Sequence, residues 1–311
     1  MIAYVARRLL GLLPVLVAAV LLTFAANRFV PGDPITVMLG DQGGNVELER
    51  KLRREYGLDR PVSVQFVDYV GKLAQGDFGL SFRYPSVPVT QVIRNALWIS
   101  PVLAAAALAL AMPLGIALGI VAALRRNTIA DTGIILVLVA GLSIPNFALA
   151  AFFVWIFALK LGWVPVAGWT SWRHAILPIA LLAIPAAAYL ARLSRTFMLE
   201  VLLQDYVRTA RAKGLPERLV VWRHGLRNVL VPILTVCGVI FGGLITGTVV
   251  IETIFNIPGL GRIAIDSIFA RDYPVTMAIV MLFTFFYAII NFTIDILYGL
   301  VDPRIRIEAR R

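Results

Sequence analysis

The chain has 311 residues, of which 59% are hydrophobic and only 15% charged, and its mean hydropathy is +0.84. That composition excludes a soluble domain and predicts an all-α integral membrane protein. The formal charge of +11 suits nucleic acid in principle, but the basic residues gather in particular segments between apolar runs, so membrane orientation accounts for them.

The first apolar run, Leu9 to Asn27, follows Arg7 and Arg8 and ends near Ala25 and Ala26. It is longer than a secretion-signal core and reads as a retained first membrane helix, making 1–30 the first segment. Residues 31–98 read as an extracytoplasmic helical insertion between membrane helices 1 and 2, too small for a separate receptor domain. Asn45 caps an expected helix that carries Glu47 and Glu49 early, Arg50, Lys51, Arg53 and Arg54 later, and Gly57 as its stop. Val62, Phe66, Val70 and Leu73 recur at helical spacing and predict a second helix, packed on the first or lying on the bilayer.

Residues 99–311 hold five more runs: Ile99 to Leu124, Thr132 to Leu159, Ala175 to Ala191, Asn228 to Ile251, and Tyr273 to Ile294. Six spans place eight basic residues of segment 192–228, together with Arg7, Arg8, Arg125, Arg126, Arg304, Arg306, Arg310 and Arg311, on one side. The positive-inside rule makes that side cytoplasmic and both termini cytoplasmic. Pro14, Pro113, Pro145, Pro178, Pro185 and Pro232 fall in or near spans and are expected to bend helices around protein or water. Glycine pairs at four-residue spacing, Gly115 and Gly119, Gly238 and Gly242, Gly243 and Gly247, predict close helix packing, within the chain in preference to a subunit interface, and a central, tightly packed fifth span. Asn146, Asn291 and Asp295 are the notable polar residues inside spans and the candidates for a translocation path, with an interfacial ion pair the preferred role for Asp295. Pro258, Gly259 and Gly261 in ETIFNIPGLGR fit either an outer gate or a compact loop.

Cys237 is the single cysteine, so no intrachain disulfide is possible, and His174 and His224 fall on opposite sides of the predicted membrane and form no metal cluster. The sequence has no phosphate loop, nucleophile elbow or zinc-protease pattern, and is expected to bind no cofactor and perform no catalysis of its own.

Segment 192–228 is basic and helix-prone between two spans. It reads as two short helices around a break. Asp205 caps the first, Arg208, Arg211 and Lys213 lie toward its end, Gly214 supplies a left-handed stop, and Pro216 and Glu217 suit the first turn of the second.

The texts YVRTARAKGL, RHGLRN, ETIFNIPGLGR and ARDYP, with YVARRLL, PGDP, GDFGLSFRY, SIPNF, LGWVPVAGW and LVDPRIR in order, resemble the membrane (permease) subunits of bacterial ATP-binding-cassette importers in the dipeptide, oligopeptide and nickel family. The general Glu-Ala-Ala pattern of such importers becomes Arg208, Thr209 and Ala210 here, and the later Ile-x-Leu-Pro becomes His224 to Arg227. This departure is similar to the peptide and nickel subfamily's own variant. The resemblance implies a type I importer-like permease whose ATPase-coupling residues are Asp205, Tyr206, Arg208, Thr209, Ala210, Arg211, Lys213, Gly214, Leu215 and Pro216. It further implies a second homologous permease subunit, two cytoplasmic ATP-binding subunits carrying ATP and Mg, an extracytoplasmic substrate-binding protein, and residence in the bacterial inner membrane amid lipid. The expected cargo is a dipeptide or oligopeptide, with nickel or glutathione import as the alternative on the same architecture. A gradient-driven secondary transporter, or an anchor for a nucleic-acid complex, is the reading from another class. Asp295 as the lone acid inside a span and the lack of internal repeats speak against the transporter.

Overall fold

The computed structural model describes residues 2–29, 33–39 and 46–301, and among them the architecture is helical. The helices are α1 (Ile2–Phe29), α2 (Pro34–Leu39), α3 (Val46–Glu55), α4 (Val62–Ala74), α5 (Val89–Ile93), α6 (Ile99–Leu124), α7 (Ile129–Ser143), α8 (Asn146–Phe153), α9 (Arg173–Leu202), α10 (Asp205–Ala212), α11 (Glu217–Leu219), α12 (Arg227–Ile254), α13 (Leu260–Phe269) and α14 (Tyr273–Val301). Two π-helical stretches, Val154–Lys160 and Val220–Leu226, continue α8 and join α11 to α12.

Among the described residues four helices are long and apolar enough to cross a bilayer: Ile99–Leu124, Arg173–Leu202, Glu217–Ile254 and Tyr273–Ile294. The first expected span falls inside α1, where the apolar stretch is the shorter Leu13–Ala26. The third is not one straight helix. α7 and the helix Asn146–Lys160 meet at an angle of 102°. Pro145 is the cause, because its ring disfavours helical backbone at the residue before it. Ile144 is extended (φ −86°, ψ 122°), and the chain re-enters helix only at Asn146. Pro14, Pro113, Pro178, Pro185 and Pro232, by contrast, lie inside continuous helices.

The chain divides into two compact units. One comprises Met1–Val5, Pro101–Ile257 and Ile289–Arg311. Its core is α9, with Leu181, Leu190, Ala191, Ser194 and Met198 buried. α6 lies against α9 through Gly115 and Gly119. A Cβ at Gly119 would sit 2.4 Å from the Ala191 carbonyl oxygen and 2.6 Å from Ser194 Cβ, so only a glycine allows this approach. Gly238 on α12 faces Asn291 in the same way, since a Cβ there would sit 2.4 Å from Asn291 Oδ1. A Cβ at Gly243 would meet nothing within 4 Å, whereas one at Gly247 would lie 3.3 Å from Leu182 Cδ2, so only the Gly247 side of that pair packs within the chain. α12 also extends past Ile251 and buries Glu252 completely, which adds an acid in a long apolar helix to the one read from the sequence. The ETIFNIPGLGR segment buries Phe255 and Ile257, and the Phe255 carbonyl accepts from Gly168 N at 2.7 Å.

The other unit comprises Ala6–Ser100 and Pro258–Ala288. The two expected helices of the insertion are α3 and α4, and α3 carries the acidic start and basic end read from the sequence. Asn45, the expected cap, lies outside the described residues. Arg53 pairs with Glu49 one turn before it and with Asp33 at the start of α2. α4 packs on α1 through the rings of Phe66 and Tyr69 against Phe24 (centroids 5.2 and 6.2 Å apart), and burial pushes the Tyr69 hydroxyl up to about 12. A small core of Val89, Ile93, Ala96, Leu260, Val275, Ala278 and Ile279 joins α5 to α13 and α14, and Leu260 N donates to Ser100 Oγ at 2.9 Å.

Candidate functional site

Segment 192–228 is more helical than its sequence implies. α9 runs on to Leu202 and the next long helix begins at Glu217, leaving residues 203–216 as the true connection. The charged residues before and after it stay helical because their helices carry buried apolar side chains inward: Met198 on one, Val220 and Val221 on the other. Gly225 makes room for Met198, whose Sδ would lie 3.2 Å from a Cβ there.

The connection holds one eight-residue helix, α10. Gln204, extended at φ −71° and ψ 150°, occupies its N-cap, and no side chain caps it. Asp205 is the first helical residue instead of the cap, where its charge favours the N-terminal end of the dipole. Its side chain lies 3.5 Å from Arg208. At the other end Gly214 adopts φ +75°. Its N–H donates to the Arg211 carbonyl at 2.9 Å and the Leu215 N–H to the Ala210 carbonyl at 3.3 Å, the paired bonds of a Schellman stop. Pro216 is the N-cap of α11, one position before the first turn assigned to it from the sequence, and Glu217 begins the helix.

Val207 and Ala210, three residues apart on α10, are buried with Val220, and Val201, Leu202 and Leu215 close around them. The elbow is therefore seated on the last turn of α9 and the first of the following helix. Arg211 spans the Gly214 corner to Glu217 with Nε to Oε2 at 3.1 Å and Nη2 to Oε1 at 2.7 Å, a bidentate pair that fixes the two arms together. Asn228 Nδ2 donates to the Tyr206 hydroxyl at 3.1 Å and to the His224 carbonyl at 2.8 Å, tying α10 to the start of the apolar run. Thr209 donates to the Asp205 carbonyl at 2.9 Å. Lys213 and Gly214 are exposed. All ten sequence-selected elbow residues thus fall on one compact corner, though Arg211 and Arg208 face internal carboxylates rather than forming an unmatched basic face.

Asn146 begins α8 and is half-buried, Asn291 lies against Gly238, and the side chain of Asp295 lies outside the described residues. Sequence reasoning missed the ion pair between buried Asp131 on α7 and half-buried Arg195 on α9, and the Tyr206–Asn228 bond. Asp131 in a first turn beside an asparagine-threonine cap was the one local signal. Among the described residues no group of three or more His, Cys, Asp or Glu side chains could hold a metal ion.

Residues 115–307 match the model of the binding-protein-dependent transport system inner membrane component, and residues 1–90 match that of its N-terminal region. The chain is 41% identical over 306 residues to the glutathione transport system permease protein GsiC of Shigella flexneri serotype 5b (strain 8401), covering 98% of this chain and 99% of that one. The GsiC proteins of Escherichia coli (strain K12) and Salmonella typhi are 40% and 41% identical over the same shares. The MetNI methionine ABC transporter in inward-facing form superposes with a TM-score of 0.58 at 17% identity, covering 68% of this chain and 97% of that one, a likeness of fold.

Proposed function

From the premise that this chain belongs to the binding-protein-dependent transport system inner membrane components, and is a permease subunit of an ATP-binding-cassette importer, we propose that its Gly214 elbow receives the force of a separate ATPase. The single observation that carries this reading is the seating of α10. It is a short exposed helix, held by a Schellman stop, a bidentate ion pair across the corner and a buried apolar underside, and it lies between two long apolar helices. A push on such a corner moves both helices instead of bending the loop.

In this reading the elbow and both termini are cytoplasmic, a second homologous permease completes the pore, two ATP-binding subunits carrying ATP and Mg dock beneath, and an extracytoplasmic binding protein delivers cargo. ATP does the work by binding one state of the ATPases better than the other, and this chain binds no nucleotide. The partner's groove meets the exposed Tyr206, Thr209 and Lys213 side of α10.

The cargo is a short peptide. Among peptides, glutathione is favoured over generic dipeptides because the relatives at about 40% identity carry that cargo in their names. Cysteine placed at Lys213 in a Cys237→Ser background is expected to cross-link to a nucleotide-hydrolysing subunit in native vesicles, and competition among labelled glutathione, dipeptides and nickel for uptake ranks the cargo. Failure to capture any ATPase at Lys213 and at Thr209 sinks the coupling role.

A further inference from the structure

Asp131, in the first turn of α7, is 4% exposed and holds the guanidinium of Arg195 on α9 with both oxygens. Arg195 Nε donates to Oδ1 at 2.8 Å and Nη2 to Oδ2 at 2.7 Å. The Asn127 N–H adds a third bond, to Oδ2, at 3.1 Å, and Asn127 itself takes the left-handed conformation (φ +64°) that aims it there. A carboxylate so fully satisfied is held in one orientation.

The rest of the α7–α9 contact is smooth. Leu138 packs on Ala188 and Ala191 with Ile134 beside them, and Gly141 faces Ile184 and Ala188. In lipid, apolar burial gives no drive to helix association, and small aliphatic faces resist axial slip weakly. A planar fork gripping two oxygens does resist it, because its geometry fixes both separation and height. Arg195 precedes Leu202 by seven residues, about 10 Å of helical rise, and Leu202 packs under the elbow. At its other end α7 leads into the 102° bend at Ile144 and Pro145.

We propose that Asp131 and Arg195 are positioning residues for translocation. Their clasp locks the height of α7 on α9, so that a displacement of the elbow reaches the bend before α8 and is not dissipated as slip. This rests on the coupling role argued for the elbow.

An ion pair whose carboxylate is buried, exchanged for apolar side chains of similar volume, often leaves stability intact, so the double variant Asp131→Leu/Arg195→Met separates a positioning role from a structural one. The complete importer, with its ATPase subunits and binding protein, is reconstituted in proteoliposomes. Two quantities are read: glutathione, used as probe, taken up per ATP hydrolysed, and the distance between nitroxide labels at the exposed positions Phe147→Cys and Leu203→Cys in a Cys237→Ser background, with and without trapped nucleotide. The double variant is expected to keep its hydrolysis, to lose about tenfold in uptake per ATP, and to spread a single label distance by about one helical turn, ~5 Å. Wild-type uptake per ATP together with a wild-type label distance overturns the proposal. Should the double variant fail to insert, Arg195→Lys decides, since it keeps the charge without the fork: a coupling ratio about threefold lower supports the clasp, and an unchanged one overturns it. If even the wild-type complex takes up no glutathione, the cargo reading fails, and the label distance alone still judges the clasp.

Discussion

The amide of Phe82 donates to Asp272 Oδ1 at 3.0 Å across 190 residues of sequence. The Arg83 amide at 3.2 Å and the Ser81 hydroxyl reach Oδ2, while the Val275 amide at 3.4 Å shares Oδ1 as the cap of α14. Two stretches of text that look unrelated in the chain, GDFGLSFRY and ARDYP, are thereby one structure: a turn closed by Ser81 N on the Val87 carbonyl presents its amides to a carboxylate that is 1% exposed.

Asp272→Ala leaves two buried donors of that turn, the Ser81 hydroxyl and the Phe82 amide, together with the part-buried Arg83 amide and one helix cap, unmatched, at roughly 3–5 kcal/mol in all. Asp272→Asn keeps one acceptor and should lose about half as much. Limited proteolysis of the detergent-solubilised protein checks this, with cleavage near Arg83 expected to quicken in Ala far more than in Asn. Equal protection in all three proteins counts against Asp272 as the tie that holds the turn.

At Gly214 the space beside the backbone is open, with nothing within 4 Å of an added Cβ, so any cost of substitution is conformational and not steric crowding. A side chain at φ +75° costs about 1 kcal/mol for Ala and about 2 kcal/mol for a β-branched residue, and less for Asn. Thermal unfolding in detergent should rank Gly above Asn, then Ala, then Val, and ATP-dependent uptake should follow the same order. A Val variant with unchanged uptake would show that the stop does not hold the elbow.

The elbow was legible because its signals are local: a glycine to stop, a proline to restart, and charges matched to helix ends. The apolar runs marked the spans for the same reason, since bilayer thickness acts on consecutive residues. What the sequence hid depends on partners distant in the chain. Arg192 to Leu202 looked like loop because it is charged, yet Met198 and Ser194 are fully buried there. Pro145 resembles the five other span prolines, and only its consequence, an extended Ile144, separates a break from a tolerated bend. Arg211 read as a cation for a partner until Glu217, six residues on, proved to be its counterion.

That pairing is separable from partner recognition by a charge swap. Arg211→Glu alone sets two carboxylates facing across the corner and should lower uptake and cost up to about 1 kcal/mol, the range of an exposed bidentate pair. Adding Glu217→Arg restores the bridge in reverse. Recovery of most of the lost uptake in the double variant supports an internal clamp. An uptake as low as that of the single variant would place the Arg211 charge against an acidic partner instead.

Gly119 and Gly243 look equivalent in sequence, each in a small-residue pair at four-residue spacing, and their surroundings differ. Gly119→Ala forces its Cβ to within 2.4 Å of the Ala191 carbonyl, so α6 must move off α9 at a cost of about 1–3 kcal/mol. Gly243→Ala enters open space and gains up to about 1 kcal/mol of helix propensity. Size-exclusion profiles in detergent should therefore show less intact monomer for the first and no loss for the second. A second permease subunit closing on this face of α12 would reverse the order for assembly: the complex would tolerate Gly119→Ala to the extent that the monomer folds, and would lose affinity with Gly243→Ala and more with Gly243→Leu. Unchanged assembly for Gly243→Leu would leave that face to lipid or to the pore.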